Sequence, residues 1–348
     1  MLNPTYAEKI ISEALFNGAS FCDVFVDKKL RNSITILDKK VHTINNGVDF
    51  GIGIRLIYGK NVVYGYTNDN SLDELIRVTK LLGQQYKRNK EAELSPFNFI
   101  KVNDIHPAHH GAQSNFPTES KIDYLLKVEG AARSESDKIS QVEVDMGQIH
   151  QQVEIFNSEG LHTSDERNYT RIVCQTIAED KGNQAMGFWA PGSLKGWEFT
   201  DDHDPIAFGK RSAKQAMVKL YADNCPGGKM PVVIGNGFGG VIFHEACGHL
   251  LETTSIQKKA SVFWDKMDQD IANPVVSAVD DGTLPNVWGS INIDDEGMEA
   301  KKTQLIKDGK LVGFMVDRVG ELKTDYKRTG SGRRQSYRFA PASRMRNT

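Results

Sequence analysis

The spacing of hydrophobic residues at the start of the chain alternates between helical and strand-like patterns. Residues 5–17 carry apolar side chains at intervals that predict an amphipathic helix. A series of β-branched stretches follows, separated by Asn, Gly and Lys turns, and predicts a meander of antiparallel strands. These stretches are 23–27, 32–38, 41–46, 50–59 and 61–69. Residues 71–90 begin with Ser71 and carry Glu74 three places later, which predicts a helix opened by a capping box.

The middle of the chain repeats this order of helix and strands. Residues 96–117 are rich in Pro, Asn and His without periodicity and are interpreted as a linker. A helix is predicted over 121–136, and the glycine- and tryptophan-rich stretch 182–199 is interpreted as a loop or an edge strand. A further helix is predicted over 205–222. The strands predicted between them are 139–157, 160–164 and 168–179.

The last third of the chain, after a break at residues 225–228, is mostly strand-like. Residues 230–234 predict a short buried strand, 235–240 a turn, and 241–253 a helix. The β-rich segments are 274–281, 290–297 and 303–317, and the last contains a Lys-Asp-Gly-Lys hairpin turn at 307–310. The whole pattern predicts a multi-domain α+β protein with domains at 1–95, 118–222 and 228–348. The first two are helix-plus-antiparallel-sheet domains, and the third is β-rich.

The composition of the chain argues against several classes of binding partner. The net charge of the 348-residue chain is -2, which gives no electrostatic reason to expect a nucleic acid or an anionic membrane. No run of about 18 apolar residues is present, so no transmembrane span is expected. The four cysteines form no CxxC pair and predict neither a disulfide framework nor a thiolate cluster. A reduced, cytoplasmic setting is the expectation.

The segment His244-Glu245-Ala246-Cys247-Gly248-His249 has the residue types of a zinc peptidase. Neutral imidazoles hold such a metal, the metal lowers the pKa of its bound water to about 7, and a carboxylate takes the proton. His244 and His249 are the candidate metal ligands and Glu245 the candidate base. Their i, i+5 spacing would place the two rings about 140° apart on a regular helix. The helix must therefore kink or carry a wide turn, which Gly248 would tolerate.

A second interpretation concerns the glycines just before this helix. Residues 235–240 read Gly-Asn-Gly-Phe-Gly-Gly, a literal GxGxxG between a predicted strand and a helix. No βαβ pattern follows, and no acidic residue ends a second strand about 20 positions later, which disfavours a dinucleotide site. Two alternatives remain for these glycines. They form a tight turn that aims the helix, or their backbone N–H groups bind a peptide carbonyl near the metal.

Four ordered segments together resemble a known family, the TldD/PmbA metallopeptidases, and specifically its TldD-type members, which keep HExxxH. The segments are PVVIGNGFGGVIFHEACGHLLE at 231–252, VVSAVDDGTLPNVWGSINIDDEG at 275–297, LIKDGKLVGFMVD at 305–317 and TGSGRRQSY at 329–337. The resemblance implies a zinc-dependent peptidase that hydrolyses peptide bonds in unstructured peptides. It makes His244 and His249 the zinc ligands, with the metal-bound water activated by Glu245. It also implies a TldE/PmbA-like partner subunit, with a homodimer as the alternative.

The chain departs from the resembled family in one respect. Family members use a cysteine in the C-terminal part of the chain as a third protein ligand, and no cysteine follows Cys247 here. The family pattern also continues past residue 348, which predicts a C-terminally truncated chain with an incomplete third domain. The alternative function is therefore a non-catalytic homologue that acts as a binding or scaffold subunit of a TldD/TldE-like complex. Cys247 itself is interpreted as small buried packing.

Two further groups of polar residues lie outside the motif. The acidic clusters 280–281 and 294–296 are interpreted as solvated turns; the alternatives are an oxygen ligand to the metal or a carboxylate that orients a histidine. The Gly330–Arg334 segment carries two adjacent arginines, which suit bidentate contacts to a substrate carboxylate or carbonyl. A plain surface loop explains that segment equally well. The β-rich pattern around the motif also suggests that an extended peptide adds as a strand to a sheet edge.

Overall fold

A computed structural model of the protein describes residues 1–84, 86, 93–107 and 117–348. Its α-helices are α1 (Pro4–Phe16), α2 (Leu72–Gly83), α3 (Thr118–Arg133), α4 (Pro205–Leu220), α5 (Val241–Ala246), α6 (Thr253–Ile256) and α7 (Arg318–Thr324). The strands of the first two thirds are β1 (Phe21–Leu37), β2 (Lys40–Tyr58), β3 (Asn61–Thr67), β4 (Asn98–Lys101), β5 (Ile139–Asn157), β6 (Leu161–Asp180), β7 (Asn183–Trp189) and β8 (Gly192–Ser193). Those of the last third are β9 (Ala278–Asp281), β10 (Lys302–Lys307), β11 (Lys310–Leu311), β12 (Gly332–Arg333) and β13 (Ala342–Ser343).

One large sheet holds all the strands of the first two thirds. Its order is β3-β2-β1-β5-β6-β4, and β7 and β8 also pair with β6. The centre is the antiparallel ladder between β1 and β5, which runs from Asp23 opposite Asn157 to Leu37 opposite Glu143. The two long strands β1 and β2 are joined by a tight turn in which Asp38 and Lys39 adopt positive φ. Both predicted helix-plus-strand units therefore share a single sheet.

Side chains of β1 alternate between two layers because successive residues of a strand point to opposite faces. On one face, Val24 and Val26 pack in a core with α1 and α2. Further along the same face, Ile34 and Ile36 pack in a second core with α3 and α4. On the opposite face, Phe25 packs against residues of the last third of the chain. The long strand thus links three separate hydrophobic cores.

The last third of the chain covers that opposite face. Ile293 and Tyr337 pack against Phe25 and β5 in a small core. A three-stranded antiparallel sheet, in the order β11-β10-β9, forms a further core with Leu251 and Met315. The predicted hairpin turn at 307–310 is confirmed, and Asp308 and Gly309 both adopt the positive φ of that turn type.

The prediction of a mixed, multi-domain α+β fold is confirmed, while several element predictions are wrong. The linker prediction for 96–117 fails at β4, which pairs parallel with β6, and residues 108–116 lie outside the described residues. The predicted capping box of α2 is absent: the Ser71 side chain makes no capping hydrogen bond, the Ser71 N–H donates to Asp69, and the Glu74 carboxylate binds Arg77. The domain limits 1–95, 118–222 and 228–348 stay a prediction. Among the described residues, no helix is both long and apolar enough to cross a membrane.

Two predicted strands of the last third are absent from the described structure. Residues 230–234 form no strand there, and Val233 is 97% exposed, because no neighbouring strand among the described residues supplies a ladder. Residues 290–297 are buried but irregular. Their backbone is fixed by carboxylate contacts instead: the side chain of Asp294 accepts hydrogen bonds from the N–H groups of Met298 and Gly332.

Candidate metal centre

The predicted motif helix over 241–253 is broken in the middle. The α-helix α5 ends at Ala246, and Cys247 has φ -134° and ψ -50°, outside the helical range. A tight 3₁₀ turn, Gly248–Leu251, follows the break. The prediction of a distorted helix is correct, but the distortion is a break at Cys247 followed by a narrow turn, not a wide one. The break rotates His249 back toward His244.

The break brings the three candidate residues together. The donor atoms of His244, Glu245 and His249 all lie within 4.8 Å of one another. The two imidazole rings are 4.7 Å apart between centroids and nearly perpendicular. The Glu245 carboxylate oxygen lies 4.0 Å from Nε2 of His249, and its side chain is 67% exposed. Two imidazoles suit zinc but are one protein ligand fewer than a zinc site normally has, and the Glu245 carboxylate lies beside them.

A buried carboxylate that the sequence interpretation missed orients His249. Oε1 of Glu252 lies 3.2 Å from Nδ1 of His249. An ionised carboxylate only accepts hydrogen bonds, so this contact favours the tautomer in which Nδ1 donates to Glu252 and the lone pair is on Nε2. Carboxylate contacts of this kind fix the ring of metal-ligating histidines. The signal in the sequence was an acidic residue three places after the second histidine.

Glu252 is in turn held by an arginine from the end of the chain. Nη1 of Arg344 donates to Oε2 of Glu252 over 2.6 Å. Burial raises the pKa of Glu252, while Arg344 and His249 oppose that rise. The next residue, Thr253, donates from its hydroxyl to Asp317 at 3.2 Å. The second half of the motif is therefore anchored to both β13 and α7.

Gly248 acts by its small size. A Cβ atom there would overlap the sulfur of Met345, whose side chain would have to move. The predicted role of Gly248, tolerance of the helix distortion, is therefore wrong, since the break falls at Cys247. Cys247 packs against the core around Leu251, as predicted, and lies outside the group of converging donor atoms.

The first half of the motif is much more exposed than the second. None of the residues of α5 is buried, and neither is any residue of the preceding turn Gly237–Gly240. Phe238 is 84% and Ile242 is 58% exposed. Gly237 has a positive φ, as a tight turn before a helix requires, and no parallel strand pairing follows within the described residues. Both observations support the turn interpretation of the glycines and argue against a dinucleotide site.

The acidic clusters are not solvated turns, which corrects the interpretation from sequence. Asp280 binds Arg346, Asp295 binds Arg167, and all four are buried. Glu296 accepts from Arg55 over 2.7 Å. Arg55 also binds Asp23. Since Asp23 and Arg55 lie in the large sheet and Glu296 lies in the last third of the chain, these ion pairs join the two parts. Sequence patterns missed this network because the partners are up to 241 residues apart.

Neighbouring charges and burial shift the pKa values of several of these carboxyl groups in opposite directions. Burial alone would raise the pKa of Asp295, but Arg167 and Arg333 outweigh it and lower the pKa. Asp294 faces the charge of Glu296 and has no arginine partner in its described surroundings. Burial, and then Glu296, raise the pKa of Asp294 to about 7. The same two causes, burial first and then Glu296, raise the pKa of Asp317 to about 6.

Comparisons with known proteins cover nearly the whole chain. Family models of the PmbA/TldA metallopeptidases match in three parts: domain 1 at 22–81, the central domain at 112–220 and the C-terminal domain at 227–348. A "Metalloprotease TldD homolog" of Haemophilus influenzae is 34% identical over 86% of this chain and 64% of its own length. A "Zinc metalloprotease TldD homolog" of Saccharolobus solfataricus is 25% identical over 98% of this chain and 74% of its own. The chain therefore spans just under two thirds of the Haemophilus relative.

Solved structures share the fold. A Thermotoga maritima protein superposes with a TM-score of 0.80, covering 96% of this chain and 76% of that chain at 19% identity. TldE from Thermococcus kodakarensis superposes with a TM-score of 0.73, covering 98% of this chain and 76% of that chain at 16% identity. At these identities the superpositions show the common fold.

Proposed function

Because the chain belongs to the PmbA/TldA metallopeptidase family, we propose that it is a zinc-dependent peptidase that hydrolyses peptide bonds in unstructured peptides. The observation that carries the proposal is the convergence of His244, Glu245 and His249 within 4.8 Å. His244 and His249 would hold the metal through imidazole nitrogens. Zinc, when bound, supplies Lewis acidity and lowers the pKa of water to about 7. These features together suit hydrolysis near neutral pH.

The chain's own residues divide the remaining work. Glu245 is exposed and lies beside the two histidines, so its carboxylate can take the proton of the attacking water. Glu252 keeps the Nδ1 proton of His249 in place, which leaves Nε2 free as a ligand. Arg344 holds Glu252 in turn. The scissile peptide is proposed to bind in an extended form along a sheet edge.

Replacing Glu245 tests the mechanism directly. A Glu245→Gln variant keeps the size of the side chain but cannot accept the proton, so cleavage should fall about 10²- to 10⁴-fold. Zinc content should stay at the level of the parent chain. The readout is peptide cleavage by mass spectrometry beside metal analysis of the same sample. Cleavage that is unchanged in Glu245→Gln would remove Glu245 from the mechanism.

The second candidate function is a binding or scaffold subunit. The observation in its favour is that two imidazoles converge where zinc sites normally use three protein ligands. Metal content of the purified chain separates the two functions. Stoichiometric zinc that is lost in His249→Ala supports the peptidase, whereas a metal-free chain that still binds its partner supports the scaffold.

A partner subunit is part of the proposal. We expect a TldE-type chain or a second copy of this chain to cover the exposed apolar segment next to the motif, where Val232 is 74% and Val233 is 97% exposed. Light scattering of the chain alone, and after mixing with a TldE-type chain, distinguishes the two. A monomer in both samples would exclude this partner. The setting we propose is the cytoplasm.

A further inference from the structure

A cleft of about 670 Å³ lies between the large sheet and the loop that contains β12 and β13. Its floor consists of cross-strand neighbours on the face of the sheet away from the helices. Lys29 lies opposite Gln151 in the ladder, and Arg31 lies opposite Ile149. Tyr169 continues the second row on β6. The opposite wall carries Arg333 and Arg344.

The charge of this cleft has one sign. Seven basic side chains line it, and no acidic side chain does so among the described residues. Five of them are already paired with carboxylates: Arg167 with Asp165 and Asp295, Arg346 with Asp280, Arg334 with Asp23, Lys29 with Asp27, and Arg344 with Glu252. Their role in the cleft is therefore to hold its walls.

Two arginines in the cleft have donors to spare. The Arg31 guanidinium makes no hydrogen bond or ion pair with any residue that the structure describes, and Arg31 is exposed. Arg333 makes one long hydrogen bond, 3.4 Å from Nη1 to the carbonyl of Gly289. Each guanidinium offers five N–H donors in a planar fork that matches a carboxylate. The cleft thus presents unused donors to an anion.

The remaining lining residues favour an organic anion over a bare ion. Trp288 is 42% exposed, and its ring packs edge-on against Tyr169 with centroids 5.4 Å apart. Phe339 and Ile149 also line the cleft. Aromatic and aliphatic walls bind the carbon atoms of a ligand while arginines fix its charged end. A peptide that carries a carboxylate has both parts.

The cleft adjoins the candidate metal centre. Arg344 lines the cleft and also donates to Glu252, which holds His249. Met345 lines the cleft as well and packs against Gly248 of the motif. One wall of the cleft is therefore the support of the second half of the motif.

We propose that this cleft binds a carboxylate of the peptide substrate through Arg31 and Arg333, so that acidic peptides are preferred. The proposal rests on the proposed function only in naming a peptide as the ligand. The carboxylate comes from an Asp or Glu side chain or from the C-terminus of the peptide. Both sources present the same two oxygen atoms to the arginines.

Binding of matched peptides tests the cleft separately from catalysis. Fluorescence anisotropy would measure four labelled peptides on the full chain carrying Glu245→Gln, which prevents turnover. They combine an internal Glu or Gln with a free or amidated C-terminus. We expect the doubly neutral peptide to bind about tenfold more weakly than the best acidic one. A loss of affinity on replacing Glu by Gln identifies the side-chain carboxylate as the ligand. A loss on amidation identifies the C-terminal carboxylate.

Single substitutions locate the effect. Arg31→Gln and Arg333→Gln should each weaken binding of the acidic peptide about fivefold and leave binding of the doubly neutral peptide unchanged. Arg31 is exposed, so its variant is expected to fold normally, which a thermal melt checks. Arg77→Gln is the matched control, because Arg77 lies on α2, on the opposite face of the sheet.

Three outcomes would overturn the cleft proposal: equal binding of all four peptides, no binding of any peptide, or unchanged binding in both cleft variants. A salt titration adds a second check, since an ion-paired peptide dissociates more readily at high salt. Failure of the proposed function would appear elsewhere, as an absence of zinc or as cleavage that survives Glu245→Gln. The two failures are therefore distinguishable.

Discussion

The two histidines of the motif lie in contrasting surroundings. His249 follows the break at Cys247 and is held by buried Glu252, with fully buried Leu251 beside it. His244 lies on α5, a helix of six residues none of which is buried. Short isolated helices are unstable without packing. One side of the site is thus fixed by the fold, whereas the other lies on a helix that buries none of its residues.

The largest effect should come from the buried ion network that joins the last third of the chain to the large sheet. Arg55→Gln leaves Asp23 and Glu296 buried without their shared partner, which should lower the free energy of unfolding by about 3–5 kcal/mol. Urea unfolding followed by circular dichroism measures this. Arg77→Gln removes an exposed pair that water and salt screen, so it should change the stability far less. Equal losses in both variants would show that the buried network contributes no special stability.

A pair of hydrophobic substitutions compares the two sides of the motif. Leu251→Ala removes a fully buried side chain and should cost about 2–5 kcal/mol. Val233→Ser removes one that is 97% exposed and should change stability by less than about 0.5 kcal/mol. The same urea experiment compares them. A large loss in Val233→Ser would mean that the exposed segment is packed in solution.

Loss of the carboxylate behind His249 should weaken metal binding. Glu252→Gln keeps the shape of the side chain but removes the charge that orients the ring, so zinc affinity should fall about 10- to 100-fold. Competition with a chromogenic chelator gives the affinity. Glu245→Gln is the control, because it replaces an exposed neighbouring carboxylate and should keep zinc. If Glu252→Gln binds zinc as tightly as the parent, the anchored side does not preorganise the site.

A smaller effect is expected from pH. The folded chain holds the proton of Asp294 up to a pKa of about 7, whereas an unfolded Asp releases it near 4. The folded state therefore binds more protons between these values, and unfolding free energy falls as pH rises through that window. Between pH 6 and 8 the fall should be about 1 kcal/mol.

Asp294→Asn is the check on that pH dependence. Asn cannot titrate, so the slope of stability between pH 6 and 8 should flatten in thermal melts taken at several pH values. Asp295→Asn provides the contrast, because the pKa of Asp295 is lowered and its titration lies well below this window. A slope that persists in Asp294→Asn would assign the proton to another group.

Local patterns in the sequence predicted the elements that local forces determine. The helical spacing of Ile10, Ile11 and Ala14 predicted α1, and the Asp-Gly turn predicted the β10–β11 hairpin. The i, i+5 spacing of the histidines required a distorted helix, which the structure contains. In each case the information lies within a few residues of the element that it specifies.

Long-range contacts account for what the sequence did not predict. β4 has an unremarkable sequence and forms because β6 offers it a ladder. The local sequence around Asp295 and Asp280 is typical of solvated turns. In the fold, these residues are buried in ion pairs with Arg167 and Arg346. His106, in the predicted polar linker, is buried between carbonyl groups of Gly282 and Ile291. No local pattern records such pairings, because the partners are distant in sequence.

The unbroken length of β1 has a consequence for how the protein can be divided. The first helix-covered core and the second lie along one strand, and β5 follows that strand for fifteen paired residues. If the chain were expressed as two polypeptides separated between α2 and α3, each would expose one side of this ladder. The two fragments should therefore recombine into a noncovalent complex, much as split reporter proteins do. The first two family domains would then fold as a single unit.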